Sequence, residues 1–138
     1  MILLDTSGLL SAIDQSQRHH ADCAQALRAA KAPLLLSPMV LAELDYLLLR
    51  YVGSQAQIAL LGEVARGAYQ LAPFDTEDIE RARQIIVKYN DLQIGISDAS
   101  LVVLAERHNT ADVLTLDERH FRALRFRERR KFRILPFD

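Results

Sequence analysis

Met1-Ile2-Leu3-Leu4-Asp5-Thr6-Ser7 joins three consecutive apolar residues to an acid and two hydroxyls. An uninterrupted apolar run of this length, ending abruptly in polar residues, reads as a short strand buried on both faces. Strands buried on both faces belong to parallel sheets covered by helices, where ligands bind beyond the carboxyl ends of the strands. Asp5 would stand at such an end. Thr6 or Ser7 could cap the helix that Gly8 to Ile13 would begin, and Asp5 could equally be a turn acid.

The rest of the chain repeats the pattern. His19 to Lys31 carries Ala21, Ala24, Ala26, Leu27 and Ala30 near helical period. Leu34-Leu35-Leu36 is a second buried strand, and Ser37-Pro38 supplies a cap followed by the proline favoured in a first helical turn. Met39 to Tyr51 is apolar on more than one side: Val40, Leu44, Leu47, Leu48 and Tyr51 make one stripe, with Leu41, Tyr46 and Leu49 outside it. Such a helix needs a cover, either Ser54 to Arg66 through Ile58, Leu61 and Val64, or a second chain. This excess of Leu and Tyr predicts a homodimer.

Tyr69 to Phe74 reads as a third strand, followed by a helix with acids in its first turn at Asp75 and Asp78. After a loop over Asn90 to Ile96, Ser97 would cap an apolar helix from Asp98 to His108. Asp112 to Leu116 forms a fourth strand ending at Asp117, a short helix spans Glu118 to Leu124, and Phe132 to Leu135 is the last strand. Strands alternating with helices imply right-handed crossovers, so the expected fold is an α/β three-layer sandwich with a parallel five-stranded sheet and about seven helices. The 138 residues suit a single domain spanning 1–138.

Composition excludes several classes. Half the residues are hydrophobic, with only five Gly and four Pro, against disordered or fibrous chains. Cys23 is the only cysteine, which excludes an internal disulfide and suits a reducing compartment. No apolar run reaches the roughly 18–20 residues of a membrane helix, and no basic leader precedes the first strand, so the expectation is a cytoplasmic protein. Net charge is −1, but eight of the seventeen Lys and Arg residues fall between Arg119 and Arg133 with one acid, Glu128. Arg125, Arg127, Arg129 and Arg130 are therefore candidate contacts to a polyanion, the other reading being a solvated charged turn.

Four carboxylates share one edge of this arrangement. Asp5 and Asp117 end strands, Asp98 opens a helix from the same rim, and Glu43 lies early in the helix that follows the second strand. Each alone could be a cap or dipole-complementing acid. Together, with no basic residue beside them in sequence, they would repel one another, and a divalent cation is the natural neutraliser. Oxygen donors select Mg²⁺ or Mn²⁺ over zinc. For His120 no partner is visible in the sequence, so packing or an exposed cap is its expected role.

The ordered set Asp5-Thr6-Ser7, Leu41-Ala42-Glu43-Leu44, Asp98-Ala99 with Leu104-Ala105-Glu106, and Thr115-Leu116-Asp117-Glu118-Arg119-His120-Phe121 resembles the PIN-domain nucleases, and within them the VapC-type toxins of toxin–antitoxin pairs. The resemblance spans essentially the whole chain. It implies that Asp5, Glu43, Asp98 and Asp117 are catalytic metal-binding acids, with Thr6 and Thr115 as supporting hydroxyls. It further implies Mg²⁺-dependent endonucleolytic cleavage of RNA and a VapB-like antitoxin partner. A competing reading is a catalytically inactive PIN-like module that binds RNA or a partner. A third, a haloacid-dehalogenase-type phosphatase, wants a second Asp two residues after the first, where this chain has Ser7.

Overall fold

The structure is a computed structural model describing residues 1–138. The first strand, β1 (Ile2–Leu4), is followed by helices α1 (Thr6–Ile13) and α2 (His20–Ala29). Next come β2 (Leu34–Leu36), α3 (Pro38–Tyr51), α4 (Ser54–Ala65), β3 (Gln70–Leu71) and α5 (Thr76–Lys88). A 3₁₀ turn at Asn90–Leu92 leads to α6 (Ile96–His108), β4 (Asp112–Leu114) and α7 (Glu118–Ala123). A small hairpin, β5 (Arg125–Phe126) and β6 (Arg130–Lys131), precedes the last strand, β7 (Arg133–Leu135).

Five strands form one parallel sheet in the order β3-β2-β1-β4-β7. Leu3 pairs with Leu35 on one side and Val113 on the other, and Val113 with Ile134. Ile2, Leu3 and Leu4 are all essentially inaccessible. Because successive strand side chains point to opposite faces, both faces of the sheet must be covered, which is the three-layer sandwich expected. The chain moves outward from β1 to β2 and β3, then returns to β4 on the other side. The gap beyond the carboxyl ends of β1 and β4 is thus the topological switch point, where a ligand cleft forms in this class of fold.

Local chemistry sets most of the boundaries. Ser37 caps α3 by accepting from the Met39 N–H at 3.2 Å, with Pro38 in the first turn. Asp75 and Asp78 form a reciprocal capping box at the start of α5. Helix α6 is the central one: every residue from Ala99 to Ala105 is buried among α3, α5, β1 and β5. Two ion pairs of 2.7 Å, Arg81–Glu106 and Arg107–Asp78, tie it to α5.

Several sequence expectations are corrected. Thr6 and Ser7 are not caps; they lie inside α1, while Asp5 takes the cap position with no side-chain capping bond, its carboxylate being engaged elsewhere. Helix α6 starts before Ser97, with Gly95 at the cap position. Only Gln70–Leu71 of the Tyr69–Phe74 run is strand, because it is an edge pairing with a single short neighbour and Pro73 has no N–H to give. On α4 the core residue is Leu60; Ile58 and Leu61 face outward, as does Tyr51 at 69% exposure on α3. The basic segment after α7, expected as a turn, contains the antiparallel pair β5–β6.

Candidate metal centre

At the switch point lies an open cleft of about 530 Å³ lined by Asp5, Thr6, Ser7, Glu43, Asp98 and Asp117, with Leu10, Leu47 and the Gly95–Ser97 turn completing it. All four predicted acids therefore border one space, and no Lys or Arg lines it. Four elements explain the convergence: β1 runs into Asp5, β4 leads to Asp117, the first turn of α6 carries Asp98, and α3 carries Glu43.

Asp5 is the most buried of the four. The Thr115 hydroxyl donates to its Oδ2 at 2.6 Å, and the Ser7 hydroxyl donates to the same oxygen at 3.1 Å. Thr115 Oγ1 also accepts from the Asp117 N–H at 2.9 Å, and Ser7 Oγ from the Leu116 N–H at 3.0 Å. Two hydroxyls thus tie the end of β1 to the turn after β4. The Asp5 carboxyl is pushed above its ordinary range by burial, against the opposing pull of the Thr115 hydrogen bond.

The close approach of these two segments requires Gly8. A Cβ there would lie 2.3 Å from the Leu114 carbonyl oxygen, so no side chain fits between α1 and β4. A comparable buried link holds the other wall. Ser37 Oγ and Ser100 Oγ are 2.7 Å apart, and Ser100 donates to the Ser97 carbonyl at 2.6 Å. That bond joins the start of α3, which carries Glu43, to the turn of α6 that carries Asp98.

Asp98 and Asp117 share a neighbour in His120. Its Nδ1 is 3.0 Å from Asp98 Oδ2 and 2.9 Å from Asp117 Oδ2. His120, expected to pack or to be an exposed cap, instead meets two carboxylates: Asp117 lies three residues before it, within reach by helical spacing, whereas Asp98 comes close only in the folded chain. The Asp98 carboxyl is raised to about 6, first by burial and then by the Asp5 charge, with His120 opposing. Asp117 also caps α7, its Oδ1 accepting from the His120 N–H at 3.1 Å. A cap and a site residue are one side chain here.

Glu43 borders the cleft but is exposed, and both Glu43 and Asp5 fall outside the group formed by Asp98, Asp117 and His120. Thr6 is only 4% exposed, yet its Oγ1 has no hydrogen-bond partner. An orphaned buried hydroxyl costs about 1–3 kcal/mol, which a bound ligand would relieve. This oxygen-rich set, with desolvated carboxylates and an unsatisfied hydroxyl, fits a hard divalent cation.

The sequence matches the PIN domain over residues 2–127. The chain belongs to the PIN-domain family. It is 44% identical to Ribonuclease VapC26 of Mycobacterium tuberculosis over 135 residues, 98% of this chain and all of that one. In fold it is similar to Mycobacterium tuberculosis VapC20, a sarcin-ricin loop cleaving toxin, with TM-score 0.79 and 18% identity, covering 85% of this chain and 90% of the other. It is also similar in fold to the DNA-bound VapBC of Salmonella typhimurium, with TM-score 0.66 and 20% identity over 96% and 95% of the two chains.

Within this PIN domain, the arginines of the basic segment sit away from the acids. Arg127 donates to the Glu106 carbonyl at 3.0 Å, and Arg130 bonds the Asn109 side chain, both at the carboxyl end of α6. At 1.5 Å per residue, Asp98 and Glu106 are roughly 12 Å apart along that helix. Arg125 donates to the carbonyls of Arg122 and Leu124 at 2.8 Å each, where α7 ends. Arg129 has no such internal partner and is exposed.

Proposed function

We propose that this PIN domain is a divalent-metal-dependent endoribonuclease, the toxin of a toxin–antitoxin pair acting in the cytoplasm. The observation that carries the reading is the convergence of Asp5, Glu43, Asp98 and Asp117 on one cleft that no Lys or Arg lines, in a chain similar over almost its whole length to a named ribonuclease. Left alone, those acids repel a phosphodiester. A hard cation such as Mg²⁺ or Mn²⁺, when bound, supplies the charge that attracts the phosphate and the Lewis acidity that activates water.

The chain's own residues then divide the work. Asp5, Asp98 and Asp117 would hold the ion, and Glu43 on the cleft wall would add to the negative charge that attracts it. Thr115 and Ser7 orient the Asp5 carboxylate, and their hydrogen bonds favour its ionised form. The cleft is open on one side, which leaves it accessible to a strand of RNA. Arg129 and its neighbours contribute affinity for the RNA backbone outside the chemical centre.

The exposed face of α3 and α4 belongs to the same proposal. Tyr46, Leu49, Tyr51, Ile58 and Leu61 on these two helices are all exposed, and exposed apolar clusters mark interaction surfaces. Toxin–antitoxin complexes from Klebsiella pneumoniae and Salmonella typhimurium share this fold. We assign the face to a homodimer contact and a neighbouring groove for a VapB-like antitoxin segment.

Incubation of purified protein with RNA, with and without EDTA, tests the catalytic reading. Cleavage should vanish in EDTA and return with Mg²⁺ or Mn²⁺. Full activity in EDTA refutes metal dependence, and RNA binding without cleavage in either ion favours an inactive binding module.

A further inference from the structure

Building on the metal-centre reading, we propose that His120 is itself a ligand of the centre, adding an imidazole nitrogen to the carboxylate oxygens and shifting its preference from Mg²⁺ toward Mn²⁺. The inference rests on three atoms. Nδ1 of His120 lies 3.0 Å from Asp98 Oδ2 and 2.9 Å from Asp117 Oδ2, and the potential ligand atoms of these residues lie within 4.8 Å of one another. A ring nitrogen carries at most one proton, so hydrogen bonding gives Nδ1 no more than a single three-centre bond shared by the two carboxylates. Adjacent ligands on an octahedral ion with bonds of about 2.1 Å are separated by about 3 Å, the spacing of both nitrogen–oxygen pairs.

The backbone holds the ring in this position. Asp117 Oδ1 accepts the His120 N–H at 3.1 Å, so the α7 cap fixes His120 relative to one of its two carboxylates. The Arg119-His120-Phe121 segment is anchored further by Phe121, which is fully buried and stacks edge-on against Phe132 at 5.4 Å. Thr6, which lines the same cleft beside Asp5, has a buried Oγ1 without a hydrogen-bond partner. As a ligand, Nδ1 offers its lone pair and the ring proton resides on Nε2. Imidazole nitrogen adds little to Mg²⁺ binding but more to later first-row ions, so a site with one nitrogen discriminates between Mg²⁺ and Mn²⁺ where an all-oxygen site does so weakly.

The test uses the full chain without a histidine tag, Mn²⁺ as probe, and pulsed electron paramagnetic resonance to read nitrogen coupling. Wild type should bind Mn²⁺ and show coupling from an imidazole nitrogen; His120→Asn and His120→Gln should lose it. In both variants Mn²⁺ affinity should fall by about tenfold or more while Mg²⁺ affinity changes by less than about threefold. Mn²⁺ bound by wild type without nitrogen coupling, or coupling that persists in both variants, overturns the assignment of His120 and leaves the carboxylate centre standing. Failure of wild type to bind Mn²⁺ at all overturns the metal-centre reading, and this inference with it.

Discussion

Replacing Asp98 with Asn should damage catalysis and stabilise the metal-free protein. The Asp98 carboxyl is raised from 3.8 to about 6, chiefly by burial and by the Asp5 charge. At 1.36 kcal/mol per pH unit, ionised Asp98 burdens the fold by about 3 kcal/mol relative to its neutral form. Asn mimics that neutral form at nearly equal volume. It also gives up a favourable charge in the first turn of α6, worth about 0.3–1 kcal/mol, so a net gain of about 2 kcal/mol at pH 8 is expected. For a chain of this size that is a rise of about 6 °C in Tm.

The pH dependence carries the sign. Below 3.8 Asp98 is protonated whether the chain is folded or not, and it costs nothing. Between about pH 4 and 6 the unfolded chain releases this proton while the folded chain keeps it, so wild type loses stability as pH rises; above 6 the loss is complete. The Asn variant should lack this part of the slope, and the two proteins should converge toward pH 4. Thermal melts in EDTA from pH 4.5 to 8, with and without added Mg²⁺, measure it. Wild type should gain more from Mg²⁺ than the variant, since the ion binds only the folded cluster. A variant less stable than wild type at pH 8, with its Mg²⁺ response intact, would show that Asp98 is only a helix-start acid.

Gly8→Ala should drive a methyl group into the Leu114 carbonyl and cost about 1–3 kcal/mol, while separating Asp5 from Thr115; denaturant melts and cleavage assays would read both, and an unperturbed variant would contradict the packing described. Neutralising Arg125, Arg127, Arg129 and Arg130 together should weaken RNA binding and flatten its logarithmic salt dependence by roughly 0.7 per lost phosphate contact, whereas an unchanged slope makes the segment a solvated hairpin. Leu49→Glu should shift sedimentation from dimer toward monomer at micromolar concentration, and a wild type already monomeric there removes the dimer from the proposal.

Residue order alone was enough for the fold class. Short apolar runs of three residues, bounded by caps and turns and separated by helical periods, leave few arrangements besides a covered parallel sheet, because only such a sheet buries both faces of Leu3, Leu35 and Val113. The acids were legible for the same reason: a strand ending in Asp places that Asp on a known edge. Tertiary structure decided the rest. Which strand ends are neighbours depends on sheet order, and only the reversal between β1 and β4 brings Thr115 and Ser7 onto the Asp5 carboxylate. Gly8 looked like an ordinary helix residue until β4 came to lie against it. Of the two partners of His120, Asp117 was within sight three residues away, but Asp98 lies 22 residues away in sequence and meets the ring only in the folded chain. Local patterns specify what each segment becomes; contacts between distant segments depend on packing geometry, which no window of residues contains.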